Sequence, residues 1–264
     1  MPDVKRRLPD FLIAGAPRSG TTWLYHLLDR HPEVYMARPV VPEPKFFLVD
    51  ELYQRGLDDY SATWFADVPP GRKAGEKSTN YLECPVAAER IHHDLPDVRV
   101  VFILRNPVDR AYSNYLWTRK NRLETEDFGT ALRLEESREA SLSPALRYAR
   151  PYAYFSRGLY ADLLRPYLER FADRVLCLRF EDVSQAPGEV AERLHRFLGV
   201  TPRPQDAVGL GAVNESDPHA EPMPPAVRRE LTVRYDEPNR RLQAVLRLDA
   251  PLWPGMAAQA ARCS

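Results

Sequence analysis

The residues best suited to chemistry near the amino end of the chain are Gly15-Ala16-Pro17-Arg18-Ser19-Gly20-Thr21-Thr22, a G-x-x-x-x-G spacing followed by two threonines. They close the apolar run Phe11–Ala16 and lead into an amphipathic stretch, the strand–loop–helix context that a phosphate-binding loop requires. In such a loop, successive main-chain N–H groups and the next helix N-terminus form a concave anion site. The hydroxyls of Thr21 and Thr22 add donors to the same anion. Thr21 stands where a nucleoside triphosphatase keeps the lysine that reaches the β- and γ-phosphates, which argues against ordinary ATP or GTP hydrolysis. Arg18, inside the loop, supplies a cation from another direction. A second apolar run, Val98–Leu104, ends in Arg105, where a triphosphatase would want an acid to help hold magnesium. The phosphate charge is therefore expected to be neutralised by arginine and lysine instead of by a metal.

Short apolar runs alternate with amphipathic stretches, a pattern that favours an α/β fold with a parallel sheet. Strands are expected at Phe11–Ala16, near Lys73–Lys77, at Val98–Leu104 and at Val175–Phe180. Helices are expected at Thr22–Arg30, Asp59–Asp67, Val86–Asp94 and Pro107–Lys120, then from Gly158 to Phe171 with Pro166 interrupting. Two more are expected at Glu189–Leu198 and at Arg228–Leu246, the last broken or bent at Pro238. The helix at 107–120 has a well-formed start: Asn106 as cap, Pro107 at the first position and Asp109 in the first turn. The proline-rich stretch 31–50 reads as a functional loop, and 201–225 as a long loop. In open α/β sheets, ligands gather beyond the carboxyl ends of the strands, where Arg18 and Arg105 would both lie. No boundary divides the chain, so residues 1–264 are read as a single domain.

Composition narrows the classes. The chain has 264 residues, with 37 Lys and Arg against 37 Asp and Glu, and net charge zero. That balance gives no reason to expect a nucleic-acid or anionic-membrane partner. Hydrophobic content of 44% and charged content of 28% are those of a globular chain with a core to bury. Twenty-five prolines point to many helix stops and rigid loops. Cys84, Cys177 and Cys263 are too scattered for a disulfide scaffold or a zinc site, and the six histidines form no ligand cluster, so no metal is expected. The short apolar run after the basic amino end does not make a signal peptide, and a cytoplasmic location is expected.

Two segments carry a resemblance. PRSGTTW at Pro17–Trp23 resembles the 5′-phosphosulfate loop of the sulfotransferases that use 3′-phosphoadenosine 5′-phosphosulfate (PAPS), with Arg18 where many members carry lysine. LRNPVDRAYSNY at Leu104–Tyr115 resembles their 3′-phosphate motif. PEPKFF at Pro42–Phe47 and GEKSTNYL at Gly75–Leu82 fit between them in the expected order. The branch most similar is that of the glycan and heparan-type enzymes and their bacterial relatives. The resemblance implies a P-loop-like three-layer fold, a central parallel sheet flanked by helices. It implies an enzyme that moves a sulfuryl group from PAPS to an acceptor hydroxyl. Arg18, Ser19, Gly20, Thr21, Thr22 and Trp23 would form the 5′ cradle, while Arg105 and Ser113 would hold the 3′-phosphate.

The resemblance also implies the catalytic set. Glu43, in the Pro42-Glu43-Pro44 loop, would be the general base of an in-line displacement, with Lys77 and Arg18 as cations at the sulfuryl group and leaving phosphate. Lys45 is a lesser candidate for orienting the sulfuryl group. His92, His93, His31 and His219 are rivals for the base, each with an ordinary structural or solvent-facing alternative. The late segment NESDPHAEPMPPAVRRE lacks the family's basic, glycine-bearing lid, leaving Arg228 and Arg229 as substitutes. Tyr53, Tyr60, Trp64, Phe65 and Trp117 would line an acceptor pocket or simply form core. The expected acceptor is a small molecule, a secondary metabolite or a soluble saccharide. Two other readings remain: a P-loop kinase or NTPase with a degenerate loop, which would need Mg²⁺, and a nucleotide-binding protein without chemistry.

Overall fold

A computed structural model of the chain describes residues 6–211 and 221–253. Five strands, β1 (Phe11–Gly15), β2 (Val34–Met36), β3 (Lys73–Lys77), β4 (Arg99–Leu104) and β5 (Val175–Arg179), form one sheet in the order β2-β3-β1-β4-β5. Every neighbouring pair is parallel, so the connections cross over outside the sheet and cover its faces. The helices are α1 (Thr21–Asp29), α2 (Asp50–Tyr53), α3 (Gly56–Trp64), α4 (Pro85–Asp94), α5 (Pro107–Lys120) and α6 (Phe128–Ala140). They continue as α7 (Tyr160–Phe171), α8 (Phe180–Gln185), α9 (Pro187–Leu198), α10 (Pro225–Arg234) and α11 (Asp236–Val245). The α/β fold with a central parallel sheet flanked by helices is the expected one.

Contacts divide the chain into two compact units, residues 1–104 with 166–214 and residues 105–165 with 215–264. The first holds the sheet. Strand alternation sends Phe11, Ile13, Val101, Ile103, Leu176 and Leu178 into one core with Trp23, Leu24, Leu27 and Leu28 of α1 and Val190, Ala191, Leu194 and Leu198 of α9. The intervening Leu12, Val100 and Phe102 are just as buried, and Phe102 meets Tyr167 edge-on at 5.0 Å between ring centroids. Burial on both faces explains why these strands read as continuous apolar runs. In the second unit, α5, α6 and α10 flank a core of Val108, Ala111, Tyr115, Phe128, Leu132, Tyr154, Leu231 and Tyr235.

Several boundaries shift. The last expected helix is two, parted at Tyr235. Pro238 does not break α11, because it sits in the first turn, where no intrahelical N–H bond is lost. The stretch 31–50 contains β2, three residues long and flanked by prolines, with too few positions to show a period. Helix α6 stands where no element was expected. Its inward positions are Phe128, Ala131, Leu132 and Glu135, and the charged fourth member masks the apolar stripe. Glu135 is buried as the acceptor for the main-chain N–H groups of Phe155 and Ser156.

Candidate active site

The glycine loop follows β1 directly, and two of its positions admit only glycine. Gly15 has φ +156°, and a Cβ there would stand 2.8 Å from Leu82 Cβ and 3.1 Å from the Thr79 carbonyl. Gly20 has φ +89°, and a Cβ would fall 2.7 Å from the Phe180 ring. Arg18 between them is also left-handed, at φ +65°. Ser19 is fully buried, yet its hydroxyl has no hydrogen-bond partner. A buried hydroxyl is rarely left so unless something else satisfies it. Helix α1 starts at Thr21 without a side-chain cap, with the N–H groups of Trp23 and Leu24 turned back onto the Gly20 carbonyl at 3.0 and 3.2 Å, and a helix start of this kind suits an anion. Trp23 differs from its neighbours. Its ring packs in the core and its indole N–H donates to the Leu210 carbonyl at 3.4 Å, so its side chain is committed to packing.

Beside the loop, β3 brings the candidate catalytic pair together. Ile13 of β1 is in register with Lys77, and Ser78 N–H donates to the Ile13 carbonyl at 3.0 Å. Lys77 thus ends the strand adjacent to the one that feeds the loop. Its side chain is 4% exposed and is ion-paired with Glu43, which is 13% exposed. Thr79 completes the grip. Its N–H donates to Glu43 Oε2 at 3.1 Å, and its hydroxyl lies 3.2 and 3.3 Å from the two carboxylate oxygens. Lys45 is left-handed at φ +51°, and its N–H donates to the Ser78 hydroxyl at 2.8 Å. Sequence reasoning singled out Lys77 within GEKSTNYL and passed over Thr79 and Ser78, because hydroxyl residues in a turn carry no signal of their own.

The second unit holds the other expected anion ligands. Arg105 is the first residue after β4, and its carbonyl accepts the Tyr160 hydroxyl at 2.9 Å. Asn106 caps α5 as expected, accepting from Val108 N–H at 3.0 Å. Ser113 lies on α5, 2% exposed. Arg228 is tied to Asp109 at 2.8 Å in the first turn of that helix, so its guanidinium already neutralises an acid.

The other candidates are placed as follows, or lie outside the described residues. Tyr60, Phe65 and Tyr160 are each 1% exposed and belong to the cores, while Tyr53, Trp64 and Trp117 are half-buried. His92 and His93 are exposed at the end of α4. Burial pushes the Cys177 thiol up to about 12, away from the thiolate form. His219, Cys263 and residues 212–220 of the late segment lie outside the described residues. Among the described residues, no group of three or more His, Cys, Asp or Glu is placed to hold a metal ion, and no helix is long and apolar enough to cross a membrane. A cavity of about 510 Å³ lined by Asp10, Lys73, Arg99 and Arg174 sits at the amino ends of the strands, opposite the end where such sheets bind ligands.

His31 and His195 form a structural pair with ring centroids 4.6 Å apart. His31 Nδ1 accepts from Glu33 N–H at 3.1 Å while Nε2 donates to the Thr201 carbonyl at 2.8 Å. His195 is fully buried, and its Nδ1 accepts from Arg203 N–H at 3.2 Å. Burial, with help from His31, pushes His195 down to about 4. An unfolded histidine takes its proton near 6.5, so its contribution is present above that pH and is lost as pH falls toward 4. The expected result is a stability gap between the wild type and His195→Gln that shrinks by about 2 kcal/mol from pH 7 to pH 4.5, once solvent screening is allowed for. Urea unfolding of both proteins at each pH checks it, and a gap independent of pH would contradict it.

Comparison with known proteins converges on one family. The sulfotransferase domain model matches residues 8–209. Over 204 residues the chain is 32% identical to mouse bifunctional heparan sulfate N-deacetylase/N-sulfotransferase 1, covering 74% of this chain and 22% of that protein. Over 200 residues it is 30% identical to mouse heparan sulfate glucosamine 3-O-sulfotransferase 3B1, covering 74% of this chain and 47% of that one. The chain thus spans less than half the length of either relative. A sulfotransferase from Alicyclobacillus acidocaldarius superposes with a TM-score of 0.73 at 29% identity, covering 92% of this chain and 98% of that one. A mouse sulfotransferase complexed with PAP has the same fold, with a TM-score of 0.58 at 16% identity over 98% of this chain and 90% of that one. The matched domain includes the glycine loop and the Glu43–Lys77 pair, and the chain belongs to the sulfotransferase family.

Proposed function

We propose that the chain transfers a sulfuryl group from PAPS to an acceptor hydroxyl, with Glu43 as general base. The observation that carries this reading is the pairing of Glu43 with Lys77 and Thr79 at the end of β3, beside the strand that feeds the glycine loop. The unpartnered Ser19 hydroxyl and the uncapped start of α1 fit a 5′-phosphosulfate. The complex of a fold relative with PAP supports the same donor. Bound there, PAPS supplies an activated sulfuryl group on a phosphate leaving group. Arg18, Ser19, Gly20, Thr21 and Thr22 hold its 5′ side, and Arg105 with Ser113 its 3′-phosphate.

Glu43 takes the proton of the acceptor hydroxyl as its oxygen bonds to sulfur. Lys77, paired with that carboxylate before reaction, supplies the positive charge that the departing phosphate needs. The names of the heparan sulfate relatives support a saccharide acceptor, with small soluble molecules as the other class. The chain works as a single domain in the cytoplasm, without a metal, nucleic acid or membrane as partner. Transfer from PAPS to the hydroxyls of heparan oligosaccharides and to p-nitrophenol tests the reading, and no transfer to any hydroxyl would contradict it.

Arg105 offers a narrower check. Replacing it with Ala removes a charge-assisted contact to the 3′-phosphate, worth about 1.5–3 kcal/mol. Affinity for adenosine 3′,5′-bisphosphate (PAP) is then expected to fall about 10- to 150-fold, while affinity for adenosine 5′-phosphate, which has no 3′-phosphate, stays the same. Equal losses for both ligands in calorimetry would overturn the assignment.

A further inference from the structure

Next to Lys77 stands a carboxylate that the proposed chemistry does not use. Glu76 is fully buried, and its two oxygens take separate partners. Oε1 accepts from the Tyr81 hydroxyl at 2.8 Å and Oε2 from the Ser78 hydroxyl at 3.0 Å. Each hydroxyl, having donated its proton, accepts from the main chain in turn. Ser78 takes the Lys45 N–H at 2.8 Å and Tyr81 takes the Phe47 N–H at 3.3 Å. Two relays therefore run from one buried carboxyl to two amides two residues apart, just after Glu43. Burial pushes Glu76 up to about 7, against the opposing pull of Tyr81, Ser78 and Tyr60, while the charge of Glu43 adds to the rise.

The anchored segment needs holding. Lys45 is in the left-handed region, which costs a residue with a side chain about 1–2 kcal/mol. Its carbonyl accepts from both Leu48 and Val49 N–H at 3.0 Å, so the turn is closed on one side by those bonds and on the other by Ser78. An apolar side chain at 76 would fill the space without desolvating an acid, but it would leave the Ser78 and Tyr81 hydroxyls without the acceptor that orients them.

We propose that Glu76 is a positioning residue that acts through the Ser78 and Tyr81 hydroxyls. It holds the main chain of Lys45 and Phe47, and thereby presents Glu43 to Lys77 and Thr79. The proposal rests on Glu43 being the base, and its test separates the two claims. In Glu76→Gln one of the two carboxylate oxygens becomes an NH2 group, a donor, so one of the two hydroxyls loses the acceptor that orients it and its relay is disrupted. Amide hydrogen exchange of Lys45 or Phe47 is expected to quicken about 10-fold, while Leu12 and Ile13 of β1 exchange as before. PAP affinity stays within about two-fold, and kcat with the heparan oligosaccharide falls about 10-fold, an effect transmitted through the base. On a Glu43→Gln background the same change lowers turnover by less than about two-fold, because the residue it positions is already disabled.

Unchanged exchange at both amides, or a full 10-fold loss added to Glu43→Gln, would overturn the proposal. Faster exchange together with a harmless Glu43→Gln would instead sink the base assignment and leave the anchor standing. Should Glu76→Gln not fold, Ser78→Ala removes one relay alone, and the Lys45 amide is read in the same way.

Discussion

Replacing Glu43 with Gln is expected to lower kcat by about 10²–10⁴-fold, the usual worth of a positioned base, while leaving PAP affinity unchanged. The side chain keeps its size, and the amide oxygen can still accept from Thr79 N–H, as the carboxylate does at 3.1 Å. What disappears is the capacity to take a proton. On the proposed mechanism Glu43 acts on the acceptor and not on the nucleotide, so the loss should fall on kcat and leave calorimetric binding of PAP intact. Wild-type turnover by the Gln variant would remove Glu43 from the mechanism, although the nucleotide assignment would survive.

Replacing Lys77 with Ala should act on stability and turnover together. Lys77 and Glu43 are both largely withdrawn from water, and removing one member of such a pair strands the other. The expected loss is about 3–5 kcal/mol of unfolding free energy, with Thr79 placing it toward the lower end, and turnover falls at least as far as in Glu43→Gln. The double change Lys77→Met with Glu43→Gln should recover most of the lost stability and none of the activity. Buried ion pairs rarely outperform well-packed apolar neighbours, so that pattern would show the pair is kept for chemistry. Urea unfolding with a parallel PAPS assay reads both effects. A stable, active Lys77→Ala protein would contradict both.

The sheet was legible in the sequence because its central strands are buried on both faces and read as unbroken apolar runs, as in Phe11–Gly15 and residues 100–104. Helix α5 was legible for a different reason. Its cap, its first-position proline and its charged ends all lie within the element itself. The edge strand β2 and helix α6 were not, since a three-residue strand has no period and α6 turns the buried Glu135 inward. The same distinction governs the site. Arg18, Glu43, Lys77 and Arg105 announce themselves by charge at motif positions, whereas Thr79, Ser78 and Glu76 acquire meaning only when β3 and the loop at 42–48 come together. Trp23 stands inside the motif while its ring belongs to the core.

The most direct measurement is calorimetric titration with PAP and, separately, with ADP, both in the absence of magnesium. The account predicts tight binding of PAP and at least about 100-fold weaker binding of ADP, a difference of about 2.7 kcal/mol. A preference for ADP that magnesium strengthens would contradict it, and would make the glycine loop that of a kinase-like protein.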